Sequence, residues 1–168
     1  MKTFDVTTQI YIFKMQDMKE EILRLIESMG VFSYSDKNQQ ISHTDWHLSD
    51  RFARPYFNIV RDSVLEVINK GSPIEEEELY INNMWFQQYN ENDFHTWHVH
   101  ADCLYSSVYY VELPPNTQTS FMIQGKEVQL DVEEGDYVVF PSCLKHTSKE
   151  NKTDRRKTVI SLNLNTIN

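Results

Sequence analysis

From residue 79 onwards the chain is a succession of short strand signals, and this run constrains the fold more than any other feature. Leu79 to Tyr89, Ser106 to Glu112, Ser120 to Ile123, Glu127 to Val132, Tyr137 to Phe140 and Thr158 to Asn165 are all rich in β-branched or aromatic residues, the types that fit a half-buried pleated surface. Turn residues separate them: Pro114-Pro115-Asn116, Gln124-Gly125-Lys126 and Glu134-Gly135-Asp136. Many short strands at regular spacing predict a barrel or jelly roll rather than a parallel sheet.

Ahead of this run the signals alternate between strand and helix. Val6 to Phe13 reads as a strand. Asp17 is placed to cap a helix over Met18 to Met29, where Ile22, Leu23, Leu25 and Ile26 make an apolar stripe and Gly30 supplies the stop. Ser49 is placed to cap a second helix, broadly Arg51 to Asn69, carrying Phe57, Val60, Val64, Leu65 and Ile68 at helical spacing, with Pro55 tolerated near its start. The expected fold is therefore mostly β, a jelly-roll barrel with two N-terminal helices packed on one sheet. At 168 residues, without repeats or linkers, a single domain spans residues 1–168.

The bulk properties exclude several classes of function. A net charge of −9 disfavours a nucleic-acid partner, which needs dense Lys and Arg, and Arg155-Arg156-Lys157 is too short to supply them. Two cysteines, Cys103 and Cys143, make no disulfide framework. The opening residues lack the apolar core of a signal peptide, and no apolar run approaches the roughly 20 residues of a membrane span. A cytoplasmic protein with no membrane partner is expected.

Four of the six histidines lie at His95, His98, His100 and His146. Residues two apart on a strand project from one face, so His98 and His100 can meet one ion. His146 follows a turn, a buried strand and the Pro141-Ser142 stop, which predicts an imidazole near a barrel mouth. Imidazole suits iron, zinc, copper and nickel alike, so the ligands do not choose the metal. A three-residue facial set leaves coordination positions open, which suits oxygen chemistry better than a closed structural site.

The ordered motifs then resemble a known family. His98-Val-His100, the strand ending in Tyr109-Tyr110, Glu134-Gly135-Asp136, Phe140-Pro141-Ser142, His146, Asn151 and Ser161-Leu162-Asn163 resemble the 2-oxoglutarate and Fe(II)-dependent oxygenases, more narrowly a small group from marine bacteria and phages. The resemblance implies a double-stranded β-helix, Fe(II) at His98, His100 and His146, and 2-oxoglutarate as cosubstrate. It also implies hydroxylation of a small-molecule or peptidyl substrate, with proline suggested by analogy. Most of the superfamily has an acid where this chain has His100, and this leaves Asp102 as the alternative third ligand. A homodimer is left open.

A cosubstrate dianion needs a buried cation and hydroxyl donors for its C5 carboxylate. The resemblance places these on the last strand. There Lys157, Val159, Ser161 and Asn163 share one face and Arg156, Thr158, Ile160 and Leu162 the other. Lys157 with Ser161 is the expected pair, and Arg156 is the alternative cation if the register slips by one residue. Tyr110 matches a tyrosine that contacts the same carboxylate in prolyl hydroxylases, and Tyr89 is a further candidate. Two other readings use the same residues: a cupin-like metal-dependent dioxygenase without 2-oxoglutarate, and a non-catalytic β-barrel binding or structural protein.

Overall fold

The computed structural model describes residues 7–30, 32–48, 53–71 and 79–166. Its elements in chain order are β1 (Tyr11–Lys14), α1 (Lys19–Glu27), β2 (Tyr34–Asp36), β3 (Gln39–Ile41), β4 (His43–Thr44), α2 (Phe57–Gly71), β5 (Leu79–Tyr89), β6 (Phe94–His98), β7 (Tyr105–Glu112), β8 (Ser120–Ile123), β9 (Lys126–Gln129), β10 (Asp136–Pro141), β11 (His146–Ser148) and β12 (Lys157–Thr166). The strands form two six-stranded sheets, ordered β1-β10-β7-β12-β5-β4 and β2-β3-β6-β11-β8-β9, with every pairing antiparallel. This is a jelly-roll arrangement.

Period-two alternation sorts the sheet built on β10, β7, β12 and β5 into two faces. Met84, Phe86, Tyr109, Val111, Tyr137, Val139, Ile160, Leu162 and Leu164 form one buried cluster with Ile22 and Ile26 of α1 and Val60, Val64 and Ile68 of α2. Their strand neighbours Tyr89, Val108, Tyr110, Val138, Phe140 and Val159 join Ile41, Phe121 and Leu144 in a second cluster. Both faces of the central strands are therefore covered, which accounts for their nearly continuous apolar sequences.

Several boundaries differ from those expected. β1 begins at Tyr11 rather than Val6, and Val6 lies outside the described residues. α1 is shorter than the expected Met18 to Met29, and its N-cap position is Met18 rather than Asp17; the Asp17 carboxylate, one residue earlier, accepts the Lys19 N–H at 3.2 Å, and Gly30 adopts φ +84° beyond the helix end. α2 starts at Phe57, after Pro55, whereas the expected cap Ser49 and residues 51 and 52 lie outside the described residues. β9 ends at Gln129 instead of Val132. It pairs with β8 through a two-residue turn in which Gln124 and Gly125 both have positive φ, the geometry that suits the twist of a tight hairpin.

Three short strands, β2 to β4, have no counterpart in the sequence reading. Their sequence from Tyr34 to Thr44 is largely polar, and pairing with β6 and β5 rather than local propensity makes them strands.

Candidate metal centre

The histidines are brought together by direct strand pairing. β6 and β11 are antiparallel neighbours with His98 opposite His146, so the two imidazoles are a cross-strand pair in one sheet. The two ligands are thus neighbours within one sheet rather than partners across the barrel. β6 also ends at His98, so His100 does not share a strand with it. Beyond the strand end the His100 N–H donates to the Ser142 carbonyl at 3.0 Å, and this tie brings the ring back to the site.

One ligand nitrogen from each of His98, His100 and His146 lies within 4.8 Å of the others. Three nitrogens this close could hold one ion between them, each imidazole supplying a single ligand atom. Asp102 is not in this group: it is exposed, with φ +62°, and its backbone carbonyl accepts the Asn165 side-chain amide at 3.0 Å.

Local hydrogen bonds set the tautomers. His98 Nδ1 lies 2.7 Å from the Thr96 carbonyl and His146 Nδ1 lies 2.8 Å from the Leu144 carbonyl. A carbonyl only accepts, so each Nδ1 carries the proton and leaves Nε2 with its lone pair for an ion. Burial lowers the pKa of all three rings. His146 falls to about 3, with a further contribution from His98, and His100 falls to about 4, against a hydrogen bond to the Asn163 side chain that raises it. His98 is lowered by burial and raised by the Thr96 carbonyl. Neutral imidazole is the metal-binding form, so the cluster stands ready at neutral pH.

A narrow cavity of about 40 Å³ runs from these rings to the far pole of the site. Trp85, Gln87 and Tyr89 of β5, and Lys157, Val159 and Ser161 of β12, line it from one sheet; Thr147 and Ser148 of β11 line it from the other. Lys157 is only 1% exposed. Its ammonium donates to Ser148 Oγ at 2.9 Å and sits 5.3 Å above the Tyr89 ring. No carboxylate among the described residues forms an ion pair with it, and burial pulls its pKa down to about 7.

The other expected residues fall into two groups. Ser161 lines the cavity and donates to the Gln87 side-chain carbonyl at 3.2 Å, and Tyr89 lines it beside Lys157. Arg156 is engaged elsewhere, in a two-pronged pair with Glu112 at 2.8 and 3.2 Å. The Tyr110 hydroxyl accepts the Thr119 N–H at 3.2 Å, and its ring belongs to the second core cluster rather than the cavity lining.

The sequence reading assigned no role to Ser148, Gln87 or His95. Ser148 follows His146 by two and Gln87 precedes Tyr89 by two, so the same alternation that joined Lys157 to Ser161 pointed to them. Trp85 stacks on His100 with centroids 5.8 Å apart.

The donor set fits a divalent cation at one pole, with three neutral imidazoles, and a carboxylate at the other, where an amine and hydroxyls meet no anion among the described residues. Neither a family model nor a curated protein matches the sequence. Similarity appears in the fold. A Pseudomonas putida prolyl-4-hydroxylase superposes with TM-score 0.68 at 14% identity, covering 96% of this chain and 95% of that one. A Burkholderia pseudomallei oxidoreductase of the 2OG-Fe(II) oxygenase family gives TM-score 0.65 at 12% identity, over 87% and 77% of the two chains. HygX from Streptomyces hygroscopicus, with nickel, 2-oxoglutarate and hygromycin B bound, gives 0.62 at 10% identity, over 95% and 83%. The chain shares the fold of 2OG-Fe(II) oxygenases.

Proposed function

We propose that this chain is a 2-oxoglutarate-dependent Fe(II) dioxygenase that hydroxylates a small-molecule or peptidyl substrate. The observation that carries the reading is Lys157, a buried amine with no anionic partner among the described residues, in the same cavity as three convergent neutral histidines. A buried charge is costly unless paired, and a dicarboxylate bearing a metal-binding keto group answers both poles at once.

In this reading His98, His100 and His146 hold the iron. Lys157 binds the C5 carboxylate of 2-oxoglutarate, with Ser161, Ser148 and Tyr89 as hydroxyl donors. Bound there, Fe(II), O₂ and 2-oxoglutarate supply the oxidising chemistry for hydroxylation of a C–H bond, the cosubstrate leaving as succinate and CO₂. The chain's own work is to orient and to exclude water: the Thr96 and Leu144 carbonyls fix two ligand tautomers, while Trp85 and Phe140 cover the rings of His100 and His146. Prolyl hydroxylation is the peptidyl reaction suggested by the Pseudomonas fold relative, and the hygromycin B bound to HygX illustrates the small-molecule class. A cupin-like dioxygenase without 2-oxoglutarate leaves the charge of Lys157 unanswered, and a non-catalytic barrel leaves both poles unexplained.

Anaerobic binding measurements test the pairing of the two poles. Fe(II) is expected to tighten 2-oxoglutarate binding tenfold or more, a factor worth about 1.4 kcal/mol. Glutarate has both carboxylates but no keto oxygen, and should gain much less. Equal gains for the two ligands would contradict the reading.

The third ligand is tested by titrating Fe(II) into three variants. His100→Ala is expected to lose most iron affinity, Asp102→Ala to retain it, and His100→Asp to keep part of it. Iron lost from Asp102→Ala but kept by His100→Ala would transfer the ligand role to Asp102.

A further inference from the structure

Each of the three histidines is held by a hydrogen bond and by an aromatic face. His146 has the Leu144 carbonyl, with Phe140 packed edge-on at 4.7 Å. His100 has its hydrogen bond with Asn163, and Trp85 stacks on it at 5.8 Å with planes 21° apart. His98, only partly buried and last in β6, has the Thr96 carbonyl, and its aromatic face is another histidine. The His95 ring lies 3.8 Å from the His98 ring, centroid to centroid, at 11° to its plane.

Two nearly parallel rings at this separation hold their nitrogens in different planes, so His95 is poorly placed to ligate the ion that His98 binds. His95 also falls outside the convergent group of ligand atoms. Its backbone is anchored independently: the Thr147 hydroxyl donates to the His95 carbonyl at 2.6 Å, and β11 pairs His95 with Ser148. His95 lines both the metal cavity and a groove of about 880 Å³ outside it. Of the ring contacts of His98 among the described residues, those with His100 and His146 are tilted, at 42° and 59°, and only the one with His95 is stacked.

We infer that His95 is a positioning residue whose stacked ring sets the plane of the His98 imidazole and so the aim of its Nε2 at the metal. The inference rests on the metal-site reading of His98, His100 and His146. Partners that orient a ligating histidine contribute roughly 10–100-fold to metal affinity when lost, and the planar face, rather than apolar bulk, is the operative feature here.

Co(II) serves as the probe, with affinity read by titration and ligand geometry read from its visible d–d bands. His95→Ala and His95→Leu are expected to weaken Co(II) binding about tenfold or more and to alter the bands. His95→Phe restores a planar face without nitrogens and is expected to stay within about threefold of the parent, with parent-like bands. A role in packing alone would make Leu and Phe equivalent, and that result overturns the inference. Parent-like affinity in His95→Leu overturns it too, as does a loss in His95→Phe as large as in His95→Leu, since that would assign the role to a ring nitrogen. Failure of the unsubstituted protein to bind Co(II) is a separate result, directed at the metal site itself.

Discussion

His146→Ala is expected to abolish metal binding. The imidazole is 5% exposed, sits opposite His98 in the strand register, and presents Nε2 because Nδ1 is committed to the Leu144 carbonyl. Its removal leaves two imidazoles, one beyond a strand end, and a void beside Phe121 and Phe140. Loss of partners that merely orient a ligand costs roughly 10–100-fold in affinity, and loss of the ligand itself should exceed about 100-fold. His98→Ala should behave in the same way. Metal analysis and anaerobic Fe(II) titration of both variants provide the check, and unchanged metal content in both would remove the site.

Lys157→Met is expected to act in opposite directions on cosubstrate binding and on folding. Truncating one member of a buried charge pair costs roughly 2–5 kcal/mol, so 2-oxoglutarate affinity should fall about 30- to 5,000-fold while iron stays bound. Arg156→Ala, which breaks a partly buried pair with Glu112 away from the cavity, should change it far less. The reverse order would mean that the cation comes from the other strand face. In the ligand-free protein the lysine is a liability, because burial lowers its pKa from 10.5 to about 7. Between those values the unfolded chain holds a proton that the folded chain has released, so stability rises with pH across that window. Below about pH 7 both states are protonated and the penalty is constant. The full span is on the order of 5 kcal/mol. Lys157→Met should therefore melt higher than the parent at pH 7 and lack the rise between pH 7 and 10. Saturating 2-oxoglutarate should flatten that rise in the parent. A parent whose stability is flat from pH 7 to 10 without ligand would show that Lys157 is not buried as a lone cation.

Much of this site was legible because strands alternate. The rule that puts Lys157 and Ser161 on one face of β12, and Ile160 and Leu162 on the other, needs only a correct register, and ten paired residues of β12 on β5 fix that register firmly. Fold class followed from the long run of apolar strands, whose both-face burial is written into their composition. The short elements were not legible. β6 has five residues and β11 three, too few for periodicity to separate strand from loop, so the pairing of His98 with His146 could not be read. His100 reaches the site through a backbone bond to Ser142, a tertiary contact that no local pattern encodes. The roles of His95 and Trp85 depend on ring stacking between residues whose order along the chain says nothing about their planes.

If the three histidines and Lys157 form one site for iron and 2-oxoglutarate, the purified protein supplied with Fe(II), O₂ and 2-oxoglutarate should release succinate. Succinate is to be measured with His146→Ala and Lys157→Met beside the parent. Its formation should require both Fe(II) and O₂, be absent in His146→Ala, and in Lys157→Met recover only at much higher 2-oxoglutarate concentration. Binding of iron and 2-oxoglutarate with no succinate above the His146→Ala background would contradict such a site.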